Sequence, residues 1–286
     1  MSRVDLSNML SEELERLSAR SKAQAIAVAL HDLENDARFS LQGDRWFHAA
    51  STIKVAVLLA LFRAADEGRV RLDDSLHVRN RFISVADGSP FHLNRDSDAM
   101  PELYLSIGRT AKISALAEGM ISASSNLATN LLLDFLGVEY ARKILGDAGV
   151  NGVELRRGVE DHAAHGRGIN NEATANGLLT LLSALRGDFL SSESKEQAIR
   201  ILLEQRFNSM IPAGLPAHAA VAHKTGEIST ACHDIGIVYL PERGPYIAVI
   251  LTEFDSEQDG RRETVAAISE AIYRSVMGIE PKSNEH

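Results

Sequence analysis

Strand-like apolar runs occur only near the two ends of the chain. Near the start, AIAVALHDL and ARFSLQGD are separated by the polar END and predict a β-hairpin. Beyond residue 217, AAVAHKTGEIS, DIGIVYLP and YIAVILTEF predict three more strands, with a turn at ERGP before the last. The pattern therefore predicts five strands, two from the first part of the chain and three from the last.

Between these strands the pattern becomes helical. From Ser51 to about Gln205, apolar residues recur three and four positions apart. The predicted helices are STIKVAVLLALFRAADEG, KISALAEGMISAS, SNLATNLLLDFLG, EYARKILGDAG, TANGLLTLLSALRGD and SKEQAIRILLEQ. Two polar segments interrupt them, residues 84–102 and 156–171, and irregular loops of that length are uncommon unless they are functional.

Helices are also predicted at both termini. The N-terminal one has apolar residues at helical spacing, Leu6, Met9, Leu10, Leu14 and Leu17. The other runs from about Gly260 to Val276. The economical assembly is of the α/β (α+β) class, with a five-stranded antiparallel sheet flanked by the terminal helices and an all-helical lobe. We expect residues 1–48 and 207–286 to form the sheet lobe, residues 49–206 the helical lobe, and a site to lie in the cleft between them.

Composition excludes several classes of protein. The 286 residues are 45% hydrophobic and 24% charged, as in globular proteins. A net charge of -9 without a Lys/Arg run argues against partners such as nucleic acid, and one cysteine, Cys232, excludes an internal disulfide. No apolar stretch reaches 18 residues, so no membrane span is expected. The N-terminus lacks signal-peptide features, which predicts a cytoplasmic protein as the chain is written, or a periplasmic or secreted one if a signal was removed. We expect a monomer.

The first candidate for chemistry is S-x-x-K, formed by Ser51 and Lys54 at the start of the most apolar helix. Residues three apart share a helix face, so the amine would lie near the hydroxyl. To act as a base near neutral pH, a lysine needs a pKa about 3 units below its ordinary value, and burial supplies part of that shift. The alternative is a solvated helix end. A second S-x-x-K, Ser192 to Lys195, opens a polar helix and is interpreted as an N-cap with a solvated charge.

Two further triads occur once each. Ser124, Ser125 and Asn126 form S-x-N before a helix, where an N-cap is the simpler interpretation and is compatible with a role in a cleft. Lys224, Thr225 and Gly226 form K-T-G on a predicted strand, where glycine often marks close approach of a ligand.

In this order, the three triads resemble those of class A β-lactamases and penicillin-binding proteins. SSNLATNLLLDFLG is similar to the S-D-N-x-A-x-N-L-L-L stretch of class A enzymes, with Asn130 in register, and HDIGIVYLP resembles the strand after their K-T-G. The similarity runs from about Ala25 to Tyr273 and implies a β-lactamase-like fold.

The resemblance also implies roles. Ser51 would be the acylated nucleophile, Lys54 its proton acceptor or relay, and Ser124 the donor to the leaving nitrogen. The substrate-binding residues implied are Asn126 for the side-chain amide, Lys224 and Thr225 with Gly226 for the carboxylate, and Glu227, whose N–H would complete an oxyanion hole with that of Ser51. No cofactor or metal is implied, and the partner is a small β-lactam or related amide or ester.

The loop at residues 156–171 departs from the family pattern. Class A enzymes remove the acyl group with a water activated by a glutamate in E-x-E-L-N or E-P-E-L-N, whereas this chain reads LRRGVEDHAAHGRGINNEAT. Glu160 is the nearest candidate base, with Asn170 or Asn171 assisting. The alternative is that Glu160 forms a surface ion pair with Arg156 or Arg157.

Three other positions differ from the family. The arginine usual before the post-K-T-G aspartate is absent where the chain has ACHD, and Arg261 or Arg262 is the candidate replacement. Ser125 stands where S-D-N has aspartate, and Glu227 places a carboxyl where small or hydroxylated residues are common.

His162 and His165 beside Asp161 suggest a metal site, but without further ligands at matching spacing a polar helical turn is the better interpretation. The leading functional hypothesis is a serine hydrolase that opens β-lactam amides through a Ser51 acyl-enzyme. The alternatives are a D-alanyl-peptide hydrolase or carboxylesterase on the same scaffold, and a penicillin-binding protein that is acylated without turnover.

Overall fold

The computed structural model describes residues 3–279, with side chains from Leu10 onward. The helices are α1 (Arg3–Ser21), α2 (Lys54–Asp66), α3 (Ile113–Ser122), α4 (Asn126–Leu136), α5 (Val138–Asp147), α6 (His162–Gly166), α7 (Ala175–Arg186), α8 (Ser192–Leu203) and α9 (Arg261–Met277). The strands are β1 (Ala25–Asp32), β2 (Ala37–Leu41), β3 (Phe47–His48), β4 (Ser75–His77), β5 (Phe82–Ile83), β6 (Pro90–Phe91), β7 (Thr110–Lys112), β8 (Val153–Glu154), β9 (Glu172–Ala173), β10 (Ala220–Ile228), β11 (Ala231–Leu240) and β12 (Arg243–Glu253).

The predicted five-stranded antiparallel sheet is confirmed, in the order β10-β11-β12-β1-β2. Strands from both ends of the chain meet at its centre, where β1 pairs with β12. The turn predicted at ERGP is tighter than expected: Leu240 pairs with Arg243, so only Pro241 and Glu242 connect β11 to β12. Strand β10 lies at the edge of the sheet, which leaves backbone donors outside the ladder.

Strand β1 is buried on both faces, and its alternate residues belong to the two hydrophobic core clusters of the protein. Its larger residues, such as Ile26 and Val28, pack with α1 and α9. Its alternate alanines, Ala27 and Ala29, belong to the other core cluster together with Leu178 of α7. Since these residues alternate across the strand, the small ones allow a helix to lie close to the sheet.

The terminal helices lie where the sequence predicted them. Leu10 and Leu14 are buried and Leu17 packs beside them, whereas the side chains of Leu6 and Met9 lie outside the described residues. No helix among residues 3–279 is long and apolar enough to cross a membrane. The division of the chain into lobes at residues 49 and 207 stays a prediction.

Helix α2 is the central helix of the helical region, and every residue from Lys54 to Phe62 is buried. This explains why its sequence is apolar all round rather than amphipathic. The helix begins later than predicted, because residues Ala50–Ile53 form a 3-10 turn. Ser51 therefore lies on a tight turn that leads into the buried helix.

Candidate active site

Ser51 lies on the 3-10 turn, half-buried, and the backbone around it is fixed by short contacts. Ala50 has a left-handed φ of 46° and donates its N–H to Nδ1 of His48 at 3.0 Å. The hydroxyl of Thr52 donates to the carbonyl of Ala49 at 2.6 Å. A strained residue held in this way is typical of functional sites. Burial, with the nearby charge of Arg157, lowers the pKa of His48 to about 4, so its nitrogen stays an acceptor.

Lys54 is fully buried and its amine donates three hydrogen bonds. The acceptors are the carbonyl oxygen of Ser124 at 2.7 Å, the Ser124 hydroxyl at 3.1 Å and Oδ1 of Asn126 at 2.7 Å. Burial lowers the pKa of Lys54 to about 7, although the carboxylates of Asp98 and Glu160 act in the opposite direction. The interpretation of Lys54 as a solvated helix end is therefore wrong. In the part of the chain that the structure describes, its hydrogen bonds reach Ser124 and Asn126 but not Ser51.

Ser124 lies between two buried lysines. Its hydroxyl also accepts a hydrogen bond from Lys224 at 3.0 Å, and Lys224 donates to the carbonyl of Thr225 at 2.8 Å. Burial and the charge of Lys54 lower the pKa of Lys224 well below its ordinary value, while Asp234 opposes the shift. The hydroxyl of Ser124 can therefore pass a proton between groups that titrate far below an ordinary lysine.

Gly226 shows why K-T-G ends in glycine. A Cβ at this position would lie 3.1 Å from the backbone nitrogens of both Ser51 and Thr52 and 3.0 Å from Cγ2 of Thr52. Strand β10 therefore approaches the Ser51 turn at a distance that a larger residue would disturb. The neighbouring Thr225 is also buried.

Asn126 connects Lys54 to Glu160. While its Oδ1 accepts from Lys54, its Nδ2 donates to Oε1 of Glu160 at 2.6 Å. Glu160 itself has a left-handed φ of 57°. One amide thus links the buried amine to the carboxylate, and the side chain of Glu160 is directed towards the other site residues.

The alternative interpretation, an ion pair of Glu160 with Arg156 or Arg157, is not supported among the residues that the structure describes. Arg156 contacts Glu154 at 3.5 Å and Glu172 at 3.2 Å instead. Arg157 donates to the carbonyl oxygen of Ile169 at 2.8 Å. Both arginines hold the two arms of the loop together and leave Glu160 to the site.

The two asparagines proposed to assist Glu160 have other partners. Asn171 accepts the N–H groups of Arg156 and Arg157 through Oδ1 and donates to the carbonyl of Arg157. Oδ1 of Asn170 lies 2.8 Å from Nδ1 of His165. Among the described residues neither asparagine has a hydrogen bond to Glu160, so both shape the loop.

The arginines proposed as replacements lie beside Glu227. Arg261 donates to Oε1 at 3.0 Å, and Arg262 donates to Oε2 through two nitrogens at 3.0 and 2.9 Å. The structure therefore brings both arginines to the end of β10, where the Glu227 carboxylate engages them. Their role as a replacement for the missing arginine stays a prediction. Cys232, part of the ACHD segment where the arginine was expected, is buried against Met210.

Sequence reasoning missed two residues that support the site. His233 is fully buried, donates from Nε2 to the carbonyl of His48 at 3.0 Å and accepts from the N–H of Thr252. Burial lowers the pKa of His233 to about 4, so it is a neutral brace for the Ser51 turn. Asp98, in the 84–102 loop, accepts several hydrogen bonds at the start of α4. The length of that loop was the only signal that pointed to it.

The second S-x-x-K lies at the protein surface. The second S-x-x-K is part of a capped helix as predicted, although the cap is Ser191 rather than Ser192, and Lys195 donates to the carbonyl of Gly187. His162 and His165 lie on α6. No group of three or more histidine, cysteine or acidic residues suited to a metal occurs within residues 3–279.

Part of the candidate site opens onto one cavity of about 410 Å³. Ser51, Asn126, Glu160 and Glu227 all line it, together with the histidines His48, His162 and His165. A serine hydroxyl and a carboxylate thus share a space large enough for a small molecule.

Comparison with known proteins gives the same family from sequence and from structure. A β-lactamase of Proteus vulgaris is 24% identical over 96% of this chain and 98% of its own length. An ancestral class A β-lactamase structure has a TM-score of 0.80 at 28% identity, covering 93% of this chain and 99% of that one. A mutant of PBP-A, solved as an acyl-enzyme complex with penicillin G, has a TM-score of 0.80 at 26% identity and covers 95% of this chain and 97% of its own. The sequence profile of the beta-lactamase enzyme family matches residues 9–276, and the chain belongs to that family.

Proposed function

We propose that the protein is a class A-like serine β-lactamase that opens the β-lactam amide through an acyl-enzyme on Ser51. The observation that carries the proposal is the Asn126 amide, which joins Lys54 on one side to Glu160 on the other, beside the cavity that Ser51 lines. The membership of the β-lactamase family supports the same reaction.

In the first half-reaction, the Ser51 oxygen attacks the lactam carbonyl carbon while its proton passes to the neutral amine of Lys54. A pKa of about 7 makes that amine a base at neutral pH. The proton then moves through the hydroxyl of Ser124 to the lactam nitrogen as the C–N bond breaks. Lys224 donates a hydrogen bond to the oxygen of the same hydroxyl, which favours donation of the hydroxyl proton to the lactam nitrogen.

Two groups of residues would bind the substrate: one stabilises the oxyanion that develops, and the other binds the substrate carboxylate. We assign the backbone N–H groups of Ser51 and Glu227, two residues that line the same cavity, to the oxyanion hole, where each donor contributes about 3 kcal/mol. Lys224 and Thr225 provide the positive and hydroxyl groups that suit the substrate carboxylate. Gly226 permits the close approach of β10 that this arrangement requires.

In the second half-reaction, Glu160 accepts a proton from the water that attacks the acyl-enzyme. Asn126 orients its carboxylate through the 2.6 Å hydrogen bond from Nδ2. Hydrolysis restores the Ser51 hydroxyl and releases the opened product. Without this step the protein would be a penicillin-binding protein that stays acylated.

The test is to follow intact mass and the absorbance of a chromogenic cephalosporin together after mixing. We expect rapid turnover with no lasting adduct, and no adduct and no turnover for Ser51→Ala. A persistent adduct on the wild type would instead identify a penicillin-binding protein. Cleavage of an ester or a D-alanyl peptide without either signal would identify the other hydrolases. An adduct on folded Ser51→Ala would exclude Ser51 as the nucleophile.

A matched control is available in the second S-x-x-K. Ser192→Ala changes the same residue type in the same motif, at the exposed start of α8. Ser192→Ala is expected to keep full turnover. If Ser51→Ala and Ser192→Ala both lost turnover, the loss would come from damage to the protein during preparation and not from removal of the nucleophile.

A further inference from the structure

We propose that Asp98 is the positioning residue for the Asn126 side of the active site, and that it provides from the 84–102 loop the carboxylate that the chain lacks at Ser125. The inference rests on the proposed function. It assigns a role to a residue that lies outside all three motifs.

Asp98 accepts hydrogen bonds at the start of α4 with one oxygen. Its Oδ2 receives the backbone N–H groups of Asn126 at 3.0 Å and Leu127 at 2.9 Å, and the hydroxyls of Ser125 at 3.3 Å and Tyr104 at 3.2 Å. Its other oxygen accepts the N–H of Met100 at 2.9 Å. The first N–H groups of a helix lack partners within the helix and carry partial positive charge, so a buried carboxylate is well matched to them.

These contacts fix the direction of the Asn126 side chain. Asn126 is the first residue of α4, and both ends of its amide are used, by Lys54 and by Glu160. A small rotation at the start of the helix would lengthen both hydrogen bonds together. Asp98 therefore acts on the two proposed bases through one residue.

Backbone strain makes an external anchor necessary here. Ser124, immediately before the cap, has a left-handed φ of 58°. Such a conformation costs about 1 kcal/mol or more in a residue other than glycine and persists only where its surroundings hold it. The N–H of Ser125 donates to the carbonyl of Gly119 on one side, and Asp98 holds the residues on the other.

Asp98 also acts through its charge. The charged groups that face Lys54 are the carboxylates of Asp98 and Glu160 and the amine of Lys224. The negative charge of Asp98 raises the pKa of Lys54 and so opposes the effect of burial. Without that charge, Lys54 would lose its proton at a lower pH.

The test is Asp98→Asn, with the acylation rate measured from pH 5 to 9. In the wild type we expect the rate to fall below about pH 7, because protonated Lys54 cannot accept the Ser51 proton. The acidic limb of the pH–rate profile is the range over which the rate falls as the pH is lowered. In Asp98→Asn this limb should move to lower pH by an amount on the order of one unit. The rate at pH 8 should fall about ten- to a hundredfold through misplacement of Asn126.

Tyr104→Phe is the matched control. It removes one hydrogen bond to the same carboxylate but leaves the charge in place. We expect its acidic limb to coincide with that of the wild type. An Asp98→Asn variant with a lower melting temperature and an unmoved limb would reduce Asp98 to a structural residue and overturn the proposal.

An exchange variant covers the case in which Asp98→Asn does not fold. In Asp98→Ser with Ser125→Asp, the carboxylate moves across the 3.3 Å contact to the central position of the motif. The proposal is supported if the acidic limb of the acylation profile of this variant returns to its wild-type position. It is contradicted if the exchange variant folds but the pKa of its Lys54 lies well below that of the wild type. The pKa of Lys54 can be measured by NMR on protein with 13C-labelled lysines. Since this needs no substrate, a failure of the proposed function would be distinguished from a failure of this inference.

Discussion

The two ends of the Asn126 amide contact two different kinds of structure. Its oxygen accepts a hydrogen bond from Lys54, which extends from the buried helix α2. Lys54 and Lys224 of strand β10 both donate to the Ser124 hydroxyl. The nitrogen of the Asn126 amide meets Glu160, which lies in the segment 156–171, where the only helix described is the five-residue α6. Regular secondary structure holds one side, and an irregular loop holds the other.

The difference lies in what fixes each group. Lys54 and Lys224 are placed by the backbone geometry of α2 and β10, and both are completely buried. The Glu160 loop is held mainly by a few side chains. Asn130, for example, donates to the carbonyl of Val159 and accepts its N–H. We therefore expect uptake of the acyl group to depend on the core of the fold, and its release to depend on a small number of loop contacts.

The largest effect is expected at Lys54. Lys54→Met keeps the length and apolar character of a buried side chain but removes the base, and acylation should slow by about 10⁴-fold, at the upper end for general-base catalysis. Acylation can be followed by intact mass at a range of substrate concentrations. The fold should persist, because methionine is an apolar residue of similar length and α2 is buried from Lys54 to Phe62.

Lys195→Met in the second S-x-x-K is the control for Lys54. Lys195 is about one quarter exposed and donates to a backbone carbonyl on the surface. Its replacement should leave acylation unchanged. If Lys54→Met acylated at the wild-type rate while folded, the buried amine would be a structural group and Ser51 would require another base.

Glu160→Gln should separate the two half-reactions. Glutamine can still accept the hydrogen bond from Asn126 but cannot take a proton from water, so acylation should stay within about threefold while deacylation slows by about 10²- to 10³-fold. Intact mass would then show an acyl-enzyme that persists for minutes or longer. Pre-steady-state absorbance would show a burst followed by slow turnover.

Glu154→Gln is the matched control in the same region. Glu154 contacts Arg156 on the surface, away from Asn126, and turnover should be unaffected. Unchanged turnover in Glu160→Gln would remove Glu160 from the mechanism. Equal slowing of acylation and deacylation would instead show that the Glu160 carboxylate holds the Asn126 side chain in position rather than acting as the base for water.

The same contrast explains what could be predicted from the sequence. The five strands, the long helices and Lys54 followed from periodicity and spacing, because side-chain direction in a helix or strand is set by the backbone. The 3-10 turn at Ser51 was not predicted, since it depends on contacts with His48 and Ala49.

The loop and Asp98 show where sequence reasoning ended. Glu160 was one of two interpretations, because local spacing could not decide whether Arg156 or Asn126 would be its partner. Asp98 was missed because its partners, Ser125 and Asn126, lie more than 25 residues away and most of the hydrogen bonds go to backbone groups that no motif records. The pairing of Arg261 and Arg262 with Glu227 was also a product of the tertiary fold, since α9 lies beyond two further strands.

The smallest effect is expected at Glu227. Its carboxylate engages Arg261 and Arg262 at the end of β10, so the positive charge of these arginines is largely neutralised where the substrate would approach. Glu227→Gln should free part of that charge and favour a β-lactam with a second carboxylate over a matched one with a single carboxylate. Since partly exposed ion pairs contribute about 0.5–1 kcal/mol, KM for the dianionic substrate should fall about two- to fivefold relative to the other.

Two measurements show whether that effect arises from the released arginines. The preference should shrink as salt is raised, because screening weakens attraction between exposed charges. A second surface cavity is lined by Glu257 together with Glu227 and the two arginines. Glu257→Gln removes the same charge from it without removing either hydrogen-bonded contact between Glu227 and an arginine, and it should leave the KM ratio unchanged. If Glu227→Gln and Glu257→Gln increased the preference for the dianionic substrate equally, the effect would come from the net charge of the protein alone. Loss of activity in Glu227→Gln towards both substrates would show instead that Arg261 and Glu227 together hold the end of β10, and with it the edge of the site beside Ser51.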